Sequence, residues 1–307
     1  METFKRIIVW LGIMAGLTVV ALGVWWLIWS GSQSTGSLKW LQFLQTTAMF
    51  LVPPILCAKL WDKNHQAVSW LKLNKGADVE MICMAIALMI CAVPGINLLS
   101  DLNSKIQLPE CLDSIEQILK QQEAAAAALT ERFLKADSGW EVLLNIGLMA
   151  LLPAFAEEFT FRGTLQQILS NSPKDGLTAK NEVNRALVAK KRSISGSGLS
   201  AKRSSMAIWI TAIVFSAIHM QFYGFIPRML MGAMFGYVFV WTGSIWIPVL
   251  MHFTNNCMAV VAYSMLEHSE KNIADTFGAG DTWGIGAISL VITCLGLLIF
   301  YRRTRTQ

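Results

Sequence analysis

Three groups of polar side chains stand inside otherwise apolar stretches: Glu157-Glu158 with Arg162, then His219, then His252 followed by Asn255 and Asn256. A charged side chain within a bilayer costs roughly 2.5 kcal/mol or more, so each group is a functional-site hypothesis by default. Residues four apart on a helix share a face. Glu158 and Arg162 can therefore pair, which leaves Glu157 about 100° around the helix with its carboxylate available. His252 and Asn256 project together, and Asn255 at i+3 could share that face, so spacing alone does not choose between the asparagines. Peptide hydrolysis is chemistry that suits the set. A carboxylate in a low-dielectric pocket can take a proton from water, while imidazole and amide donors can hold the oxyanion that develops on the carbonyl. Glu157, His219 and His252 could instead be three ligands of a catalytic divalent metal such as zinc. HExxH is absent, and the sequence leaves that choice open. Plainer readings exist for each group: a Glu–Arg pair can neutralise itself in a bundle, a membrane histidine can be a packing residue, and a transporter can relay protons through Glu and His. Having all three groups in adjacent apolar blocks shifts the weight towards a reaction site.

The elements that must position these residues are membrane-length helices. Apolar residues fall in blocks of about 20, the length a helix needs to cross a hydrocarbon core. The blocks run near 7–29, 41–58, 79–99, 140–169, 206–222, 225–241, 245–265 and 284–301. This pattern predicts an all-α, polytopic transmembrane helix bundle of about eight spans. Pro53-Pro54 should kink the second block. The first is too long for a signal peptide and offers no A-x-A site, so it reads as a retained anchor. At about 30 residues, the fourth block is longer than a membrane requires and should tilt, kink or project. Residues 100–139 are too polar to span. Ile115, Ile118, Leu119, Leu129, Phe133 and Leu134 sit there among Glu, Gln and Lys, as expected of an amphipathic helix that caps the bundle. Trp10, Trp40, Trp140 and Trp246 stand at block ends like interfacial belts.

Of the 307 residues, 54% are hydrophobic and only 15% charged, against about 25% charged in soluble domains. The net charge of +5 comes from Lys and Arg gathered in particular connections. Nucleic acid is thus no expected partner, whereas membrane lipids are. The 172–205 segment carries eight Lys and Arg against Asp175 and Glu182 and reads as a flexible cytoplasmic loop. With eight spans, the 59–77 connection, this loop and both termini share a side, which the positive-inside rule makes cytoplasmic. None of the six cysteines has metal spacing, so they are read as reduced packing residues.

Glu157-Glu158-x-x-x-Arg162, Phe215-x-x-x-His219 and His252-x-x-x-Asn256, in that order on separate helices, resemble the CPBP family of CAAX proteases and bacteriocin-processing enzymes. Its members include the type II CAAX prenyl endopeptidases. The stretches Ile226-Pro227-Arg228-Met229 and Trp241-Thr242-Gly243-Ser244-Ile245-Trp246-Ile247-Pro248 are similar to bacterial members, which places the expected site in a bacterial inner membrane. The resemblance covers about 140–260. It implies that Glu157 activates water with the participation of His219, and that His252 and Asn256 stabilise the oxyanion, Asn256 being favoured over Asn255 by position. Glu158 and Arg162 would hold the site together. Some members are described as metalloproteases and others as glutamate-dependent without metal, so the cofactor stays open. The expected substrate is a membrane-associated peptide or protein, CAAX-like and prenylated if the family name applies, cleaved near the cytoplasmic face. The expected division is 1–139 for N-terminal helices and the amphipathic segment, 140–265 for a catalytic core with 172–205 inserted, and 266–307 for a last loop and helix. A non-enzymatic immunity or scaffold protein retaining the fold is the rival reading, and a transporter the third, since no convincing internal repeat is found.

Overall fold

The computed structural model describes residues 2–61, 67–170, 197–266 and 277–305, and every regular element among them is helical. The long helices are α1 (Glu2–Trp29), α2 (Thr35–Trp61), α3 (Val79–Ser104), α4 (Asp113–Leu134), α5 (Gly139–Ser170), α6 (Ser197–Ala217), α7 (Phe225–Thr242), α8 (Trp246–Leu266) and α9 (Trp283–Arg305). Six of them, α1, α2, α3, α5, α7 and α9, are long and apolar enough to cross a membrane. The eight-span count adds α6 and α8, the helices that bring His219 and His252.

Contacts at the helix ends sort the connections into two groups. At one end, here the near end, Arg6 lies over Trp61 and Trp70, Gln167 donates to Trp70, Trp246 donates to Leu73, and Arg303 pairs with Glu80. At the far end, Lys39 meets Asn145, and Asn103 meets the turn before α7. The flanks of the basic connections are therefore gathered at one end, as the charge pattern requires.

Two of these helices are bent by the same device. A proline in a helix cannot donate to the carbonyl four residues before it. Pro54 frees the Phe50 carbonyl and Pro153 frees that of Met149, and each proline is preceded by a wider-wound π segment, Thr47–Leu51 and Ile146–Leu151. A third π segment, Phe161–Gln166, carries Arg162. Such segments are rare and concentrate at functional sites.

Several sequence expectations need correction. Helix α6 begins at Ser197, so Lys202 and Arg203 lie on it, and Arg203 Nε donates to the Leu169 carbonyl at 3.3 Å. The rest of the 172–205 segment, up to residue 196, lies outside the described residues, as do Glu267, Glu270 and Asp275 of the acidic loop. Helix α6 stops at Ala217, five residues before the expected end of its block. Trp10 is buried in a cluster with Met14, Phe161 and Phe215, and Trp246 packs against Phe155, so neither is an interfacial belt residue. Among the cysteines, all free, only Cys57 is fully buried.

Helix α4 does cap the bundle, with only part of its apolar set turned inward. It reaches from the α1–α2 turn, where Arg132 bonds Thr35 and Gln33, to the 222–224 turn at the head of α7. Glu116, Leu119, Glu123 and Phe133 face inward, while Ile115, Ile118 and Leu129 are exposed. Exposed apolar side chains also cover α1 and α9, for example Leu27 and Ile288. On a membrane bundle this surface meets lipid.

Candidate functional site

The site is built on two adjacent carboxylates of α5 that meet different surroundings. The Glu158 side chain is 0% exposed, and its Oε1 accepts from Arg162 Nη1 at 2.7 Å, one turn along the same helix. The same oxygen accepts from His252 Nδ1 of α8 at 2.9 Å. The i,i+4 pair expected from spacing is present, and it has a third member that no local pattern announces.

Arg162 is fully buried and spends its second terminal nitrogen, Nη2, on the Gly232 carbonyl of α7 at 2.7 Å. Its guanidinium lies 4.9 Å from the Phe215 ring centre and 5.4 Å from that of Phe235. One turn further on, Gln166 Nε2 repeats the contact with the Gly236 carbonyl at 3.1 Å. The Gly232-x-x-x-Gly236 spacing now has its reason. A Cβ at Gly232 would stand 3.0 Å from Phe215 and 3.3 Å from Arg162 Nη2, and one at Gly236 would stand 2.8 Å from Gln166 Oε1. The glycines seat two polar side chains of α5 and let α6 approach; the sequence reading gave them packing alone.

His252 is held on three sides. Its ring stacks on Phe235 at 5.5 Å and meets the edge of Phe215 at 6.0 Å. Because an ionised carboxylate only accepts, the bond to Glu158 places a proton on Nδ1, and neutral His252 then presents an acceptor at Nε2. That nitrogen lies 3.9 Å from Glu157 Oε2. Glu157, 16% exposed, is the open member of the carboxylate pair, and its buried Oε2 has no hydrogen-bond partner.

His219 sits just beyond the last turn of α6. Met220 follows with φ 54°, a left-handed residue that reverses the chain. The His219 ring folds back so that Nδ1 donates to the Phe215 carbonyl at 2.8 Å, one of the four that a helix end leaves unpaired. Phe215 is thus the wedge between the two histidines, 5.3 Å from His219. His219 lies within electrostatic reach of Glu157, His252 and Arg228. Asn103 of α3 clamps this corner, donating to the Phe222 carbonyl and accepting from the Ile226 amide.

Asn256 lies one turn beyond His252 on α8, and its Nδ2 reaches the Met149 carbonyl at 3.4 Å, the carbonyl that Pro153 leaves free. Asn255 donates to Asn256 Oδ1 at 3.1 Å. Asn256 therefore faces α5, with Asn255 bracing it from behind. The structure brings Glu157, Glu158, Arg162 and His252 into one connected group, with His219 and Asn256 at its margins. Gly232 lies about 15 Å along α7 from the near end, so the group is deeper than the expected position at a face.

A zinc set is not supported: among the described residues no three of His, Cys, Asp and Glu are arranged to hold an ion. Two apolar clefts of about 450 and 310 Å³, lined in common by Phe43, Leu144 and Leu148, open on the lipid-facing side of α2 and α5 and touch none of these residues.

Residues 139–258, which contain every residue of this group, match the family model described as Rce1-like: Type II CAAX prenyl endopeptidase Rce1-like. No curated protein and no solved structure matches the chain.

Proposed function

We propose that this chain, a member of the CPBP/CAAX protease family over residues 139–258, is an intramembrane endopeptidase in which Glu157 activates the attacking water. The observation that carries the reading is the pair Glu157 Oε2 and His252 Nε2, 3.9 Å apart. Both are acceptors, so one water can donate a proton to each. Glu158 Oε2 is likewise buried without a partner, so what singles out Glu157 is its partial exposure and its place beside His252 Nε2, as a general base requires.

Roles follow from the hydrogen bonds. Glu158 fixes the His252 tautomer and ring, as the third member of a catalytic triad fixes its imidazole. Arg162 holds Glu158 in place. With Nδ1 held by Glu158, His252 turns Nε2 towards Glu157 and the attacking water, beside the oxyanion role that the resemblance implies. Glu157 Oε2 takes a proton as the water oxygen attacks the carbonyl carbon. The Asn256 amide, reaching across from α8, donates to the carbonyl oxygen. His219, on the margin near Glu157, takes part in passing the proton to the leaving amine.

The substrate is a membrane-associated peptide, CAAX-like and prenylated as the family description suggests. The basic connections support a cytoplasmic near end, and the resemblance to bacterial members supports an inner membrane. The test uses purified protein and a quenched-fluorescence, S-farnesylated peptide ending in a Cys-aliphatic-aliphatic-X sequence. Glu157→Gln keeps the side chain's shape and should lower cleavage by about 10²–10⁴, the usual loss of a positioned base, with the thermal melt unchanged. Near wild-type cleavage by that variant would remove Glu157 from the mechanism.

A further inference from the structure

We infer that Arg228 is a second oxyanion donor, an electrophilic catalytic residue that follows the negative charge as it moves from Glu157 to the substrate carbonyl; this rests on the hydrolytic reading above. Donors are scarce in this site. His252 and His219 both spend their Nδ1 protons on protein acceptors. Asn256 is left as the amide donor among the residues the sequence picked out, and it is partly engaged with Met149. An oxyanion hole commonly uses two donors fixed in advance.

Arg228 supplies what is missing. It lies in the first turn of α7, directly after the corner that carries His219, and Glu157 and Glu123 are within its electrostatic reach. Its Nη2 donates to Gln221 Oε1 at 2.7 Å, which fixes the guanidinium plane. Its Nη1 is buried and has no hydrogen-bond partner. Gly224 makes room for it: a Cβ there would come within 3.0 Å of Nη2 and 3.5 Å of Cζ. The φ of Gly224 is −109°, which any residue adopts. Glycine here leaves space beside the guanidinium and is not needed for the backbone.

The contrast with Arg162 sharpens the assignment. Arg162 binds Glu158 and Gly232 with both terminal nitrogens. Arg228 forms no ion pair among those found in the described residues and keeps a charged donor uncommitted. A guanidinium stays protonated throughout. In the step itself, one water O–H bond breaks and its proton goes to Glu157 Oε2. A C–O bond forms, and the carbonyl π pair moves onto oxygen. Glu157 becomes neutral as the oxygen becomes negative, so the charge of the cavity is unchanged and one cation serves before and after. Arg228 Nη1–H donates to that oxygen and keeps its proton.

The experiment compares wild type with Arg228→Gln and Arg228→Lys on the farnesylated reporter peptide, measuring kcat and KM separately, with thermal melts alongside. A phosphinate analogue of the peptide, binding to each protein, reports the tetrahedral geometry without turnover. We expect kcat to fall about 10²–10³ in Arg228→Gln, the loss typical of one oxyanion donor, with KM within about threefold, partial recovery in Arg228→Lys, and loss of the preference for phosphinate over substrate peptide. A raised KM with kcat intact would make Arg228 a substrate anchor and overturn the inference, as would unchanged phosphinate preference or a variant that merely fails to fold in both forms. Wild-type cleavage with no sensitivity at Arg228 would defeat this inference alone; absence of wild-type cleavage would defeat the hydrolytic reading with it.

Discussion

The two sides of α5 make opposite use of polar residues. On the side facing α7 and α8, Glu158, Arg162 and Gln166 are buried together and bonded to one another, to His252 and to the glycine carbonyls. On the side facing the α6–α7 corner, Glu157 and Arg228 are only partly buried. The first side is a cross-bonded floor, although Glu158 Oε2, Arg162 Nε and Gln166 Oε1 there lack partners, and the second a partly exposed pocket side. A buried ion pair is a weak stabiliser compared with an apolar replacement, yet breaking it is costly. The floor is therefore better understood as a device that orients His252 than as a source of stability, and the reactive groups stand where a substrate has access.

Breaking the floor should cost most. Glu158→Gln leaves the Arg162 guanidinium buried without its counter-charge, about 3–5 kcal/mol for a fully buried partner, and it also releases the His252 tautomer. Thermal melting and reporter cleavage should therefore fall together, whereas Glu157→Gln should lose cleavage alone. An unchanged melt for Glu158→Gln would show that the floor does not depend on this pair. A smaller effect is expected where α7 seats the arginine. In Gly232→Ala the new methyl would press on Phe215 and Arg162, and overpacking of this kind costs about 1–3 kcal/mol. A stable, fully active Gly232→Ala protein would mean that α6 and α7 can part without disturbing Arg162. The smallest change tests the shared proline device. Thr160 Oγ1 donates to the Phe50 carbonyl at 2.7 Å, the carbonyl that Pro54 leaves free. Thr160→Val should cost about 1 kcal/mol and leave kcat alone, because that bond joins α5 to α2, away from the reactive groups. A fall in kcat without a fall in stability would shift Thr160 into the pocket.

Much of this was legible because it is local. Apolar blocks of membrane length gave the helices, and the i,i+4 rule gave Glu158 with Arg162. The bond from His252 to Glu158 spans 94 residues of sequence, and nothing in spacing announces it. The boundaries of α6 were missed at both ends for physical reasons. Lys202 and Arg203 looked like loop because they are charged, yet long basic side chains can reach out from a helix end. Phe222 looked like span because it is apolar, yet the left-handed Met220 had already turned the chain. The apolar residues of α4 divide, Leu119 and Phe133 inward and Ile115 and Ile118 outward. A helix whose outer neighbour is lipid has no reason to turn Ile115 and Ile118 inward. The prolines at 54 and 153 were a usable signal for the freed carbonyls, one of which turned out to face Asn256.

Helix α4 also fixes how this site can be supplied. It crosses the far end of the bundle, tied down at Arg132 by Thr35 and Gln33 and at Glu116 by the Leu108 amide. Between these ties runs the unbroken Ala124–Ala128 stretch, stiff by helix propensity and without long side chains to swing aside. On the proposed function, a cap of this kind at the far end favours a sideways path between helices for a membrane-borne substrate. A substrate that takes it arrives by diffusion in two dimensions, so its encounters depend on its mole fraction in the lipid and not on its bulk concentration. Adding empty lipid, with protein and substrate totals constant, then slows the reaction by surface dilution.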